Sequence, residues 1–166
     1  MQVGEQVSGT LIAPTYAVIR YGHAPGGGDA IGSGFVYTGR VLQALRGKYV
    51  FSDITTGRVW WADYKDMLAA DDGDPATLAP MHEIRIAWDN PNDSPDTGRH
   101  VYDSMVPINE ATYHFRGGML PHLANVQTVA TQGRADARLA VDAAGEFYIY
   151  TKSDGMIRQV SGATFK

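Results

Sequence analysis

The chain has 166 residues, of which 44% are apolar and 19% are charged, so it is long enough to build one domain around a hydrophobic core. Its formal net charge is −4 and its 14 lysines and arginines are scattered, so it lacks the basic field that drives electrostatic binding to nucleic acid. The absence of cysteine excludes disulfides and thiolate metal sites.

Turn-forming residues are frequent along the whole chain. The 19 glycines and 8 prolines are spread through the sequence, which predicts many turns between short strands and little helix. No apolar run reaches the length of about 18 residues that a membrane span needs. The first residues, MQVGEQVSGT, do not have the layout of a signal peptide. We therefore expect a soluble chain without a membrane partner.

Four strands are predicted in the first part of the chain. Residues Thr15–Tyr21 and Gly32–Tyr37 are rich in strand-forming side chains and are separated by the turn-rich segment HAPGGGDA. Residues Tyr49–Ile54 and Val59–Trp61 flank the sequence Thr-Thr-Gly-Arg, whose glycine suits the positive φ of a tight turn. The second pair therefore predicts a β-hairpin.

The middle of the chain contains the best internal boundary. Residues 64–72 have the spacing of one or two helical turns, and His82–Trp88 alternates like a further strand. The segment Asp89–Gly98, DNPNDSPDTG, is almost free of apolar residues, which predicts an exposed loop. We expect this loop to separate a first cluster of strands, residues 1–98, from a final cluster, residues 99–166, within a single domain.

The final cluster is predicted to begin with a short helical or irregular insertion near residues 109–127. Asn109 is a suitable helix cap, whereas Gly117-Gly118 and Pro121 prevent one long helix. Strand patterns then return, separated by two glycine-containing turns. The predicted strands are Arg138–Val141, Glu146–Thr151 and Met156–Ser161.

Two segments share one layout of strand, glycine-containing turn and strand with aromatic ends. They are KYVFSDITTGRVWWA and GEFYIYTKSDGMIRQV. Meandering four-stranded sheets that repeat in sequence are typical of β-propellers. Trp60 and Trp61 should point to opposite faces of their sheet, which suits a blade packed between two neighbours. The predicted fold class is all-β, with two to three four-stranded antiparallel sheets arranged as propeller-like blades.

The sequence also resembles a known family. AIGSGFVYTG (30–39), followed by ALRGKYVFSDITTGRVWWAD (44–63), is similar to the late blades of the glucose/sorbosone dehydrogenase family, which are quinoprotein sugar dehydrogenases with a six-bladed propeller. GRADARLAVDAAGEFYIYTKSDGMIRQV (133–160) resembles the closing stretch of that family. The resemblance covers about half of the chain and implies that only the C-terminal two or three blades are present.

The resemblance implies an activity, a cofactor and a location. Members of the family are aldose oxidoreductases that depend on pyrroloquinoline quinone (PQQ). In these enzymes a hydride passes from the sugar C1 to the calcium-bound quinone. The family also implies a bacterial, periplasmic or secreted protein. Its catalytic histidine lies in an earlier blade that this chain lacks, so no catalytic residue is assigned. By their order along the chain, His23 and Tyr37 are implied as substrate-binding residues.

The cofactor-binding residues implied by the resemblance lie near the end of the chain. The family has an Arg-x-Arg-Asp group that pairs with the quinone carboxylates, whereas this chain has Arg134, Asp136 and Arg138 with different spacing. Two arginines can still form charge-assisted hydrogen bonds to carboxylates. The family lysine that contacts the quinone is replaced by Thr55 or Thr56.

Each candidate also has a structural interpretation. The loop from His23 to Asp29 is more typical of a flexible connector than of a ligand-binding loop, and Arg134, Asp136 and Arg138 are as typical of ion pairs between blades as of an anion-binding patch. The acidic sequence Asp71-Asp72-Gly73-Asp74 does not match a calcium-binding loop, and the five histidines have no ligand spacing, so no metal-binding residue is predicted. The residues leave two hypotheses open. The chain is a truncated sugar-dehydrogenase relative that binds a quinone or small polar ligand without oxidising sugar alone, or it is a non-catalytic propeller-derived binding or assembly module.

Either hypothesis leaves the edges and faces of the sheets uncovered, because two or three blades cannot close a propeller. Missing blades on a longer chain would solve this problem. So would a homo-oligomer, in which three copies of a two-blade chain complete a ring. A third solution is that residues 101–127 fold back as a cap through Phe115, Met119, Leu120 and Leu123. We rank the first two solutions above the third.

Overall fold

The computed structural model describes residues 6–7, 10–11, 15–24, 26–90, 98–124 and 133–165. This part of the chain is mostly β with antiparallel sheets, and it contains no closed barrel or propeller. The helices are α1 (Tyr64–Ala70) and α2 (Val106–Phe115), with a 3-10 turn at Gln43–Leu45. The strands are β1 (Gln6–Val7), β2 (Thr10–Leu11), β3 (Ile31–Val36), β4 (Lys48–Asp53), β5 (Val59–Asp63), β6 (Met81–Asp89), β7 (Arg99–Tyr102), β8 (Ala137–Val141), β9 (Phe147–Thr151), β10 (Met156–Gln159) and β11 (Thr164–Phe165).

The first sheet is built on four consecutive strands. Strands β3, β4, β5 and β6 form an antiparallel meander, and both β7 and β11 also pair with β6. The predicted hairpin is confirmed, with Phe51 opposite Trp60 and Gly57 at φ +67° in the turn. The predicted strand His82–Trp88 and the predicted helical turns near residues 64–72 are also present, as β6 and α1.

The second sheet consists of β8, β9 and β10 in sequence order. Its two turns contain Gly145 and Gly155, with φ of +80° and +70°, where residues with a Cβ are disfavoured. All three strands were predicted, with small differences at their ends. β8 packs against β3 and β4 of the first sheet. Buried side chains that both sheets contribute to the core include Val50, Val59, Ile84, Leu139, Phe147 and Ile149.

The two adjacent tryptophans lie on opposite faces of the first sheet, as predicted. Trp60 is 4% exposed and stacks on Phe51 and on Tyr21, with ring centroids 5.7 and 5.0 Å apart. Trp61 stacks on His82 at 4.3 Å, on the face that packs against the core. Tyr21 comes from the irregular segment before β3. The segment before β3 therefore covers the Trp60 ring, through Tyr21.

One predicted strand is absent, and the predicted start of one helix is wrong. Residues Thr15–Tyr21 do not form a strand, because Tyr21 packs on the face of the sheet instead of extending its edge. The second helix begins at Val106, because Pro107 is well tolerated in the first turn, where a backbone N–H has no helical partner. Asn109 does not cap this helix. Its buried side chain donates hydrogen bonds to the Ala135 carbonyl and to Ser153 Oγ.

The segment predicted as a boundary joins two paired strands. β6 and β7 pair on either side of it, and its residues 91–97 lie outside the described residues. The division of the chain at this segment stays a prediction, although β7 and β11 belong to the first sheet. In the proposed cap, Leu123 is buried, whereas Phe115, Met119 and Leu120 are 67%, 92% and 54% exposed. Most of that apolar set therefore faces solvent.

Candidate functional site

The turn between β4 and β5 is organised by one buried carboxylate. Asp53 is fully buried, and its Oδ1 accepts hydrogen bonds from the Thr56 amide (2.6 Å) and hydroxyl (2.8 Å). Its Oδ2 accepts from the amides of Asp29 and Ala30, both at 2.6 Å, and from the Tyr21 hydroxyl at 3.0 Å. This single side chain therefore holds both the turn and the end of the glycine-rich loop.

The electrostatics of this cluster favour Tyr21 as a hydrogen-bond donor. Burial is the main cause that raises the pKa of Tyr21, and the negative charge of Asp53 raises it further. The hydroxyl therefore stays protonated and donates a hydrogen bond to the carboxylate. The arrangement is structural in character, because every named polar atom around Asp53 is already paired.

The same turn also holds the segment that contains the predicted cofactor-binding residues. The amides of Ala135 and Ala137 donate to the carbonyls of Thr55 (2.8 Å) and Ile54 (3.0 Å). The Thr55 hydroxyl donates to Asp29 Oδ2 at 2.8 Å. Two segments that the sequence singled out, the loop that ends at Asp29 and residues 134–138, therefore meet at Thr55.

Gly57 allows a third segment to approach the turn. Its carbonyl accepts a hydrogen bond from the Met105 amide at 3.1 Å, at the start of α2. A Cβ on Gly57 would lie 2.7 Å from the Met105 Cβ and 2.8 Å from the Ala135 Cβ. Only glycine fits this contact, so the turn sets the position of α2 as well as that of residues 134–138.

The predicted cofactor-binding residues are close together but differ in their contacts. Arg134 forms an ion pair with Asp136, with 3.2 Å between Nη2 and Oδ1. Asp136 has a φ of +48°, a conformation that aspartate tolerates better than most residues. Arg138 instead lines a surface groove of about 410 Å³ together with Asp136, Tyr150 and Lys152. The groove lies on the outer face of the second sheet, where Tyr150 is opposite Arg138.

This groove carries a surplus of positive charge. Within the part of the chain that the structure describes, Arg138 and Lys152 form no ion pair, and the only hydrogen bond of the Arg138 side chain is to the Ala137 carbonyl. The one carboxylate in the groove, Asp136, is already compensated by Arg134. Two cations at a shared groove favour a carboxylate or another small anion, since charge-assisted hydrogen bonds are stronger than neutral ones.

Lys152 was missed by the sequence analysis. A usable signal was present, because the predicted hairpin of β8 and β9 pairs Ala137 with Thr151 and so brings the next residue, Lys152, beside Asp136. The Lys152 amide donates to the Asp136 carbonyl at 3.3 Å. The register of a predicted hairpin, and not only its composition, would therefore have identified this residue.

The predicted substrate-binding residues are in different environments. Tyr37 is fully buried, its hydroxyl donates to Glu146, and the same oxygen accepts from the Leu42 amide at 3.0 Å. A substrate role for Tyr37 has no support from this position, which gives the side chain a packing role. His23 is exposed on the loop held by Asp53, so its substrate role stays a prediction.

No family model, curated protein or solved structure matches the chain. The likeness to sugar-dehydrogenase propellers therefore stays a prediction from motifs. Among the described residues, neither helix is long and apolar enough to cross a membrane.

The cofactor implied by the resemblance can be compared with the groups present. Arg138 and Lys152 fit the carboxylates of PQQ. For calcium the fit is poor, because the described residues contain no cluster of three or more histidine or carboxylate side chains that could hold a metal ion. Calcium prefers six to eight oxygen ligands, and the groove supplies one compensated carboxylate. The donor set thus suits the quinone carboxylates and not a protein-held calcium.

Proposed function

We propose that this chain is a truncated relative of the PQQ-dependent glucose/sorbosone dehydrogenases that binds a small carboxylate-bearing molecule, such as PQQ, without oxidising sugar by itself. The observation that carries this proposal is the groove in which Arg138 and Lys152 lie without ion-pair partners in the described residues. A bound dianion or trianion would supply the missing negative charge. PQQ would contribute its own redox chemistry, whereas this chain would bind and orient its carboxylates.

The arrangement of the sheets supports the blade-like part of the proposal. β3 to β6 form a four-stranded meander, and β8 to β10 form a three-stranded one. β8 packs against β3 and β4, as the inner strands of neighbouring blades would. On this interpretation, residues 134–138 enter the innermost strand of the second blade, which is next to the central axis of a complete propeller.

The proposal is tested by titrating the protein with PQQ, with and without calcium, and following tryptophan fluorescence. We expect saturable binding that does not require calcium. Replacement of both groove cations (Arg138→Ala and Lys152→Ala) should weaken binding by about tenfold or more, since hydrogen bonds to charged groups contribute about 1.5–3 kcal/mol each. Lys65→Ala, at an exposed position on α1, is the matched control and should leave binding unchanged.

Two results would contradict the proposal. PQQ binding that is absent, or that is the same in the double variant and the control, would exclude the groove as the site. Glucose oxidation by the isolated chain with PQQ, calcium and a dye acceptor would contradict the statement that it does not oxidise sugar alone.

A second candidate function, a non-catalytic assembly module, is favoured by apolar side chains that line the same groove. Tyr150, Met156 and Ile157 are 39%, 37% and 74% exposed. The outer edge of β10 has no paired strand among the described residues. Such edges pair readily with another chain. A second copy would cover the groove, so ligand binding and assembly would compete for this face.

A further inference from the structure

A cavity of about 280 Å³ lies between the two sheets, away from the groove. It is bordered by β6 on one side, by β9 and β10 on the other, and by the start of α2. Because side chains alternate along a strand, Ile149 faces this cavity whereas Tyr150 faces the groove. The cavity and the groove therefore lie on opposite faces of the second sheet, and a ligand in the cavity would be independent of the proposed function of the groove.

The interior of the cavity is apolar. Its floor is formed by side chains that are each at most 4% exposed. They are Val59, Ile84, Met105, Ile108, Phe147 and Ile149. A stable buried water needs two to four polar partners, which these side chains do not provide. Protein interiors are otherwise packed with few voids larger than a water molecule. A space of this kind is therefore better filled by an apolar molecule than by solvent.

The volume indicates the size of the occupant. An apolar cavity of about 150 Å³ in another protein stays dry and binds benzene. The present cavity is roughly twice as large, which corresponds to a molecule of two fused six-membered rings.

The charges at the mouth of the cavity are balanced. Three arginines line it. Two of them form ion pairs with carboxylates of the chain, and the third is opposite an aspartate in the strand register. The pairs are Arg85 with Asp103 (3.0 Å), Arg158 with Asp154 (2.5 Å), and Arg99, which is directly opposite Asp89 in the pairing of β6 and β7. A charged ligand would therefore lose its hydration without gaining an unpaired countercharge. The uncharged side chains of Gln159 and Ser161 also line the cavity and offer hydrogen bonds.

We propose that this inter-sheet cavity binds a neutral, largely apolar molecule of bicyclic size that carries a single hydroxyl or carbonyl group. The rings lie against the floor between Ile84 and Ile149, and the polar group is directed to Gln159 or Ser161. The balanced charges at the mouth select against the corresponding acid. The groove on the outer face selects for anions, so the groove would take charged ligands and the cavity neutral ones.

The test uses 1-naphthylmethanol as the neutral probe and 1-naphthoate as its charged counterpart. Both are titrated into the full chain labelled at the isoleucine δ1 methyl groups, and chemical shifts are measured by NMR. We expect 1-naphthylmethanol to shift the methyl signals of Ile84, Ile108 and Ile149 and to leave that of the exposed Ile157 unchanged. We expect 1-naphthoate to bind this cavity at least about tenfold more weakly, because its charge must be desolvated.

A cavity-filling variant provides a second measurement. Ile86→Trp enlarges a half-buried side chain of the lining and should weaken 1-naphthylmethanol binding by about tenfold or more, because the added ring takes up the space. Ile157→Trp, on the opposite face of the second sheet, is the matched control and should bind as the unmodified chain does. If Ile86→Trp does not fold, the methyl shifts of the unmodified chain decide the question by themselves. Unchanged signals from Ile84, Ile108 and Ile149, or equal affinity for 1-naphthoate, would overturn the proposal.

Discussion

Two buried carboxylates connect segments that are far apart in the sequence. Asp53 links the β4–β5 turn to the loop before β3. Glu146, at the start of β9, accepts hydrogen bonds from the buried Tyr37 hydroxyl and from the amides of Arg40 and Val41, at 2.6 and 3.1 Å. At the scale of single residues, Asp53 therefore fixes segments next to the first sheet, and Glu146 connects the second sheet to the segment that follows β3.

The Glu146 cluster predicts a dependence of stability on pH. The hydrogen bond from Tyr37, followed by those from the amides of Arg40 and Val41, holds the pKa of Glu146 below its ordinary value of 4.5. A carboxyl whose pKa is lower in the folded state stabilises the fold above its unfolded pKa, and this contribution is lost as the pH falls through the folded value. We expect the free energy of unfolding to decrease below about pH 4.5, and this decrease to be smaller in Glu146→Gln.

This prediction is checked by urea unfolding between pH 7 and pH 3. The difference in stability between the unmodified chain and Glu146→Gln should narrow as the pH falls. Asp71→Asn, at an exposed position after α1, is the control and should show the same pH dependence as the unmodified chain. A difference that stays constant across this range would show that ionised Glu146 does not contribute as described.

At the scale of elements, the turn between β4 and β5 sets the geometry of the candidate site. Its backbone binds the amides of Ala135, Ala137 and Met105, and its Thr55 hydroxyl binds Asp29. One hairpin therefore orients the loop before β3, the entry to β8 and the start of α2. The groove cation Arg138 comes directly after this anchored stretch. A substitution in the turn should therefore disturb the positions of all of these segments.

Replacement of Gly57 tests this role of the turn. Gly57→Ala requires a positive φ and brings a Cβ within 2.8 Å of Met105 and Ala135 side-chain atoms. Gly73→Ala is the matched control, because Gly73 also has a positive φ but has open space around it. We expect the control to lose about 1–2 kcal/mol from the backbone strain alone, and Gly57→Ala to lose a further 1–3 kcal/mol or so from overpacking.

Urea unfolding of both glycine variants supplies the measurement. Equal losses of stability in the two variants would mean that the close approach of Met105 and Ala135 to the turn has no energetic importance. A larger loss in Gly57→Ala would confirm that the turn holds the two sheets and α2 together.

At the scale of the whole molecule, the two sheets do not close on themselves within the described residues. On one face of the first sheet, the Trp60 ring is covered by Tyr21. The outer face of the second sheet leaves Tyr150 and Ile157 exposed. The open face is thus the place where a ligand, further blades or a second copy of the chain would be accommodated.

The mass of the protein in solution distinguishes these occupants. If the chain is an assembly module that closes a six-bladed ring, light scattering coupled to size exclusion should give about 54 kDa, three times the 18.0 kDa of one chain. Ile157→Asp should then return the mass to 18.0 kDa, because a charge would be buried at the contact. A mass of 18.0 kDa for the unmodified chain would contradict the trimer and leave the groove accessible to a ligand.

The local order of strands and turns was determined by the sequence. Aromatic and β-branched runs with period-two alternation predicted β4, β5, β6 and β9, and glycines predicted the tight turns that follow β4, β8 and β9. The opposite directions of Trp60 and Trp61 resulted from the same alternation. These features depend on steric preferences and on neighbours close in sequence, so they can be recognised without the tertiary structure.

Long-range contacts decided the remaining features. Tyr21 lies against Trp60 instead of in a strand because a hydroxyl partner, Asp53, is available 32 residues later. Tyr37 is in the core because Glu146, 109 residues away, accepts its hydroxyl. The β4–β5 turn forms backbone hydrogen bonds to the segment before β8. The ion pair between Arg134 and Asp136 and the position of Arg138 in the groove depend on these bonds. Packing between distant segments has no local signature, so only the tertiary structure showed which charges are compensated and where the cavity lies.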